Sequence, residues 1–172
     1  IRILQYPDIK LKRKGEIVED FGPAFQTIVD DMFETHYAAE NCAALAATQL
    51  DLDPAPHVTV IDFSEKKNQP LCIVNGEIIE QEGEQVEEEG CMSVGCDIGI
   101  HVGAKVNRSM RIHLKAQDRH GKAFEMDAEG FMAKCIQHEL DHLNGKIFLD
   151  HLLPVKRKML EKKLFKMMKK QS

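Results

Sequence analysis

No apolar run in the 172 residues approaches the roughly 20 that a membrane-spanning helix needs. With 30% charged residues and a mean hydropathy of -0.33, a membrane-embedded protein is excluded. Glycine and proline number only 11 and 6, too few for a collagen-like or low-complexity chain. The opening Ile1–Pro7 segment carries no apolar core behind a basic start, so no secretory leader is expected. Cysteine is sparse and odd in number: Cys42, Cys72, Cys91, Cys96 and Cys135. That count argues against a disulfide framework and for reduced thiols, one of them a potential ligand or nucleophile. Neither a membrane nor DNA is expected as a partner.

What is present describes a compact, cytoplasmic domain. Its 43% hydrophobic content is enough to bury a sizeable core. Charge is uneven. Residues 154–172 hold eight Lys/Arg against Glu161, a net of +7, and taking that from the whole-chain -5 leaves -12 for residues 1–153. Any polyanion contact therefore belongs to the tail. The expected organisation is one domain, with its body in 1–153 and a basic C-terminal helix, 154–172, belonging to it.

Pro23 suits a first helical position, and Phe25, Ile28, Val29, Met32, Phe33 and His36 recur at helical spacing, predicting a helix from Pro23 to Tyr37. Residues 41–49 fit helix or extended loop equally. Strands are expected at His57–Phe63, Leu71–Val74 and Ile78–Ile79 toward Val86, and at Ala104–Asp118, which forms a hairpin with Ala123–Met126. Asp127 can cap a helix that ends near Asn144 with Gly145 as its stop, and a basic helix covers 154–170. Strands followed by a functional helix indicate an α+β fold.

Within the 127–144 helix stands His138-Glu139-Leu140-Asp141-His142. Histidines four apart on a helix lie about 40° apart around its axis and one turn apart along it, so their nitrogens can meet at one metal ion. Glu139 projects beside them, placed to take a proton from water and pass it to a leaving amine. A catalytic site usually needs a third protein ligand. A metzincin-type protease would have histidine where Phe148 stands, and Glu161 lies among lysines on an exposed-looking helix as an i,i+4 partner. Cys91, beside Gly90 at the end of an acidic strand-like stretch, is the better candidate.

Three segments in order, Cys42-Ala43-Ala44-Leu45-Ala46-Ala47-Thr48-Gln49, Glu89-Gly90-Cys91-Met92-Ser93 and Gln137-His138-Glu139-Leu140-Asp141-His142, resemble the motifs of the peptide deformylase family. The resemblance runs from the Leu4–Asp8 start to Asp150. It implies antiparallel β-sheets around a central metal-binding helix, and removal of the formyl group from the N-terminal formylmethionine of nascent polypeptides, releasing formate. Carried over by position, it implies Cys91, His138 and His142 as metal ligands and Glu139 as general base and then acid. The Gln49 amide and the Met92 N–H would stabilise the oxyanion. Ala44, Leu45, Phe131 and Cys135 would meet the substrate, and Glu89 would brace a polar group behind the cysteine strand. One divalent ion is implied, Fe²⁺ in the cell, with Zn²⁺, Ni²⁺ or Co²⁺ as substitutes. The partners implied are N-formylmethionyl nascent peptides, and the basic helix is a candidate ribosome contact.

This chain departs from the family pattern in four places. Cys42 and Ala44 replace the loop's two glycines, Gly95 follows Val94 where proline is usual, and Lys134 stands where members are apolar. The competing readings are an altered or inactive deformylase-like protein and a zincin-type metallopeptidase.

Overall fold

The computed structural model describes residues 1–171. The first helix, α1 (Pro23–Ala38), starts on Pro23 as expected and buries Phe25, Val29, Met32 and His36, one stripe of the helix. The ambiguous 41–49 stretch becomes a short strand, β1 (Ala44–Ala46), followed by a 3-10 turn over Ala47–Gln49. Strand β2 (Val58–Ile61) is buried along its whole length, so its run of Val and Ile shows no alternation.

The two expected strands at Leu71–Val74 and Ile78–Ile79 are one, β3 (Leu71–Glu82), with register shifts after Val74 and Ile78. It does not continue to Val86. Gly83, at φ 71°, turns the chain, and pairing resumes in β4 (Gln85–Glu89). The single expected strand 104–118 is likewise two, β5 (Ala104–Arg108) and β6 (Arg111–Gln117). At the break, Ser109 N–H donates to Gln137 Oε1, and the Ser109 carbonyl accepts from Gln137 and Gln85 side chains. Side chains thus replace the ladder where the chain passes from one sheet to the other. β4 and β5 form a two-stranded sheet, and the larger antiparallel sheet has the order β1-β2-β3-β6-β7.

The last strand, β7 (Ala123–Glu129), runs three residues past the expected Met126. Asp127 is therefore not a helix cap. It pairs with His113 across the sheet, and its carboxylate lies 2.6 Å from His113 Nδ1. The helix begins where Gly130, at φ 61°, allows the chain to turn. This α2 (Gly130–Leu143) buries Ala133, Ile136, Leu140 and Leu143 against Ile73, Ile112 and Leu114 of the large sheet. Gly145, at φ 79°, follows its end as expected.

On the sheet's other flank, α1 packs Phe25, Val29 and Met32 with Leu45, Val58 and Val60. A third cluster joins the Cys91 turn to Phe148, Leu149 and Leu164. Among the described side chains of α3 (Pro154–Gln171), Leu164 is the fully buried one, contributing about 1.5–3 kcal/mol. Tyr6 adds a stacked contact with Phe165 and a hydrogen bond to Glu161. Ser172, the end of the expected basic segment, lies outside the described residues. Among the described residues no helix is long and apolar enough to cross a membrane.

Candidate metal centre and active site

One face of α2 carries His138 and His142, and the turn after β4 brings Cys91 over them. Cys91 Sγ lies 3.3 Å from His142 Nε2, which is 3.2 Å from His138 Nε2. The three ligand atoms lie within 4.8 Å of one another. A tetrahedral ion with bonds of about 2.3 Å to sulfur and about 2.05 Å to nitrogen separates its ligand atoms by about 3.3–3.6 Å. The donor set therefore fits a divalent ion with little movement.

The two histidines are held in opposite charge states without an ion. Burial alone lowers His138, but the Cys91 sulfur and the Glu89 carboxylate beside it lift its pKa to about 10, so the site stabilises positive charge. Burial, with the His138 and Arg108 charges, pushes His142 well below the usual range and keeps its imidazole neutral, the form a ligand needs.

Glu89 Oε1 lies 2.8 Å from His138 Nδ1, fixing the ring so that Nε2 faces the cysteine. The same carboxylate accepts two hydrogen bonds of 2.9 Å from Arg108. Burial opposes ionisation of Glu89, yet Arg108 and His138 hold its pKa near 2. Arg108 also reaches Asp141 at 2.5 Å, and Asp141 lies 2.7 Å from His151. Arg108 was not singled out from the sequence. Its signal was weak but real: Ala104, Val106 and Arg108 share the inward face of an alternating strand, and an inward arginine requires buried acids.

Glu139 is buried beside the histidines, with Oε1 4.0 Å from His138 Nε2 and Oε2 lacking a hydrogen-bond partner among the described residues. Burial pushes its carboxyl up to about 7, partly offset by the His138 and Arg108 charges. Gln49 is fixed at both ends. Its Oε1 accepts from the Ala46 N–H at 2.9 Å, and its Nε2 lies 3.4 Å from Cys91 Sγ and 3.2 Å from Ser93 Oγ. Gln5 donates to the Met92 carbonyl at 2.8 Å, and Ser93 N–H donates to Cys91 Sγ. These bonds leave the Met92 N–H without an acceptor among the described residues. Ser93 and Thr48, whose hydroxyl donates to the His142 carbonyl at 2.6 Å, lie inside the quoted motifs, and Gln5 in the Leu4–Asp8 start, but no role was read for any of the three.

The site opens into a cavity of 1350 Å³ lined by Ala44, Gln49, Cys91, Met92, Phe131, Lys134, Cys135, His138 and Glu139 among others. Leu45 does not line it; the side chain is fully buried in the cluster with α1. Cys42 turns away as well, its Sγ 3.2 Å from His36 Nδ1. Neither Cys42 nor Ala44 has positive φ, the left-handed position in this loop falling on Asn41 at 55°. Gly95 takes φ 80°, and a Cβ there would meet Leu164 and Ile100 at 3.1–3.2 Å. Glu161 is far from serving as a ligand: it pairs with Arg157 at 2.7 Å, an arginine in place of the expected lysine.

The sequence matches the model of the polypeptide deformylase family over residues 1–158. It is 60% identical over 166 residues to "Peptide deformylase 1" of Coxiella burnetii, covering 96% of this chain and 95% of the relative. It is 46% identical to a peptide deformylase of Xylella fastidiosa over 99% of this chain and 97% of the relative. The fold is similar to the crystal structure of a peptide deformylase from Legionella pneumophila, with a TM-score of 0.87, 41% identity, and 99% and 96% of the two chains covered. A deformylase from Ehrlichia chaffeensis gives 0.84 and 32%, with 96% of each chain covered. The chain belongs to the polypeptide deformylase family, metal-dependent hydrolases that act on formylated nascent peptides.

Proposed function

We propose that Cys91, His138 and His142 hold the catalytic ion, that Glu139 moves the proton, and that Gln49 and the Met92 N–H bind the oxyanion. The observation carrying this reading is the convergence of one sulfur and two imidazole nitrogens beside a buried carboxylate with an unpartnered oxygen. When bound, the ion supplies a Lewis acid that makes water nucleophilic near neutral pH. Glu139, with its pKa near 7, takes the proton from the attacking water and delivers it to the methionine nitrogen as the C–N bond to the formyl carbon breaks. Formate and a free amino terminus leave. The Gln49 Nε2 and Met92 N–H are preorganised donors for the oxygen that gains charge. Glu89, through His138 Nδ1, orients a ligand ring. Ala44, Phe131 and Cys135 receive the methionine side chain, while Leu45 supports the loop from the core.

Fe²⁺ is the proposed resident ion, with Zn²⁺, Ni²⁺ or Co²⁺ able to replace it, since one thiolate and two imidazoles suit any of them. Metal analysis after purification without oxygen tests this. Cys91→Ser is expected to lose the ion and Cys96→Ser to keep it; equal occupancy in the two variants contradicts the ligand assignment. Retained activity is favoured over an altered or inactive relative, because Cys42 is turned toward His36 and Ala44 takes negative φ.

A cytoplasmic location is proposed, where formylated nascent chains of a bacterial kind are made. Residues 1–153 and the C-terminal helix are proposed to form one domain, supported by the Leu164 and Tyr6 contacts of α3. The exposed cations of α3 suit docking to ribosomal RNA, a polyanion whose binding weakens steeply with salt. Replacing Lys158, Lys162 and Lys166 with glutamine should reduce cosedimentation with ribosomes at low salt; unchanged cosedimentation removes that proposal.

A further inference from the structure

Lys134 lies on the cavity side of α2, four residues before His138, and is half-buried. Its Nζ sits 4.9 Å from the centroid of the Phe131 ring. Phe131 is 47% exposed, and Phe63 packs edge-on against it at 4.7 Å. Beside Glu89 and Glu139, the carboxylates of Asp31, Glu34, Glu40, Glu88 and Asp97 line the same cavity; Glu89 pairs with Arg108 and His138 and Glu139 lies near His138, and none of the seven forms an ion pair with Lys134 among the described residues. Arg2, the other lysine or arginine in the lining, is taken by Asp51 at 3.2 Å. Lys134 is thus a cation held by an aromatic face, with three N–H donors and no oxygen acceptor among the described residues. An occupant of the cavity can supply one.

The position of that acceptor follows from extended-chain geometry. Alternate side chains of an extended peptide share a face, about 7 Å apart. With the formylmethionine side chain against Phe131 and Cys135, the third side chain shares that face of the peptide and the second points away from it, and Lys134 stands beside Phe131 on that face of the cavity. We propose that Lys134 is a specificity-determining residue, favouring formylated nascent chains that carry aspartate or glutamate at the third position. This inference rests on the pocket assignment made above. The surrounding carboxylates disfavour acidic side chains elsewhere in the cleft, so the effect of Lys134 is specific to that position.

The test compares kcat/KM for formate release from formyl-Met-Ala-Xaa-Ser-amide and formyl-Met-Xaa-Ala-Ser-amide, with Xaa as Glu or Gln. The Glu/Gln ratio is measured for the wild type and for Lys134→Met and Lys134→Arg. At the third position the ratio should fall about 3- to 5-fold in Lys134→Met, the size of one solvent-exposed ion pair, and recover in Lys134→Arg. At the second position it should change less than 2-fold. Raising salt to 0.5 M should shrink the third-position contrast of the wild type. A variant that lost metal or folded poorly would slow both peptides alike and leave the ratio untouched. An unchanged third-position ratio, or an equal change at both positions, overturns the assignment to Lys134. Absence of formate from every peptide would instead overturn the active-site reading beneath it.

Discussion

Replacing Arg108 with methionine separates the stabilising and orienting roles of the charge network behind the metal site. The Arg108 and Glu89 side chains are 4% and 3% exposed, so the substitution leaves a buried carboxylate facing only His138. Removing one partner of a buried pair typically costs about 3–5 kcal/mol, roughly 150- to 5,000-fold in the unfolding constant at about 1.4 kcal/mol per decade. That is a large part of the roughly 5–15 kcal/mol that holds a domain folded. Asp141, the other acid facing Arg108, keeps His151 at 2.7 Å and adds little to the loss. Converting Glu89 to leucine in the same chain removes the stranded charge, and such apolar replacements are often neutral or better. The double variant should therefore regain most of the stability. It should still bind metal about 10- to 100-fold more weakly, because His138 Nδ1 has lost the acceptor that orients its ring. Urea unfolding followed by far-UV circular dichroism, in the presence of chelator, reads the first effect without metal linkage. Chelator competition for Co²⁺ reads the second. A double variant as unstable as the single one would refute the reasoning about stranded charge. One that bound Co²⁺ like the wild type would refute the orienting role of Glu89.

Three further outcomes follow from individual contacts. Gln49→Leu should lower kcat about 100- to 1,000-fold with metal content unchanged, and a loss confined to KM would contradict the oxyanion role. Burial opposes ionisation of Asp62, but Ser64, Tyr37 and Gln69 donate to its carboxylate and hold its pKa near 2. Its contribution is therefore complete above about pH 4 and lost as pH falls through 2. Asp62→Asn should flatten that part of the stability profile in acid unfolding curves, and an identical slope would count against it. Gly145→Ala forces a side chain into φ 79° and into the Lys12 carbonyl. A left-handed penalty of about 1–2 kcal/mol plus the overlap predicts a drop in Tm of at least about 2 °C, measurable by calorimetry; a shift under 1 °C would contradict the packing described.

The chemistry was more legible in the chain than the boundaries of its elements. Histidines 138 and 142 announce themselves because four residues is nearly one helical turn, and the structure brings their nitrogens together with Cys91. The breaks at Gly83 and at Ser109 were not read, although Glu82-Gly83-Glu84 and Asn107-Arg108-Ser109 are weak strand formers, because apolar residues resume the alternation beyond each. What ends the pairing is a positive φ in one case, and in the other the distant side chains of Gln85 and Gln137. Asp127 read as a helix cap for a similar reason. A local preference for capping gave way to three more residues of cross-strand pairing and to a glycine that turns the chain. Leu45 sits in a segment proposed to meet substrate, yet in a three-residue strand neighbouring side chains face opposite ways, and of Ala44, Leu45 and Ala46 it is Ala44 that lines the cavity. Arg108 acts on residues 19 and 33 positions away, a separation beyond any local pattern.

Formate release from formyl-Met-Ala-Ser by protein purified without oxygen, beside a Glu139→Ala variant of measured metal content, tests the assigned chemistry most directly. The account predicts release by the wild type, loss of it in the variant with the ion retained, and no cleavage of an unformylated protein substrate. Release by a fully metal-loaded Glu139→Ala variant at the wild-type rate would contradict it.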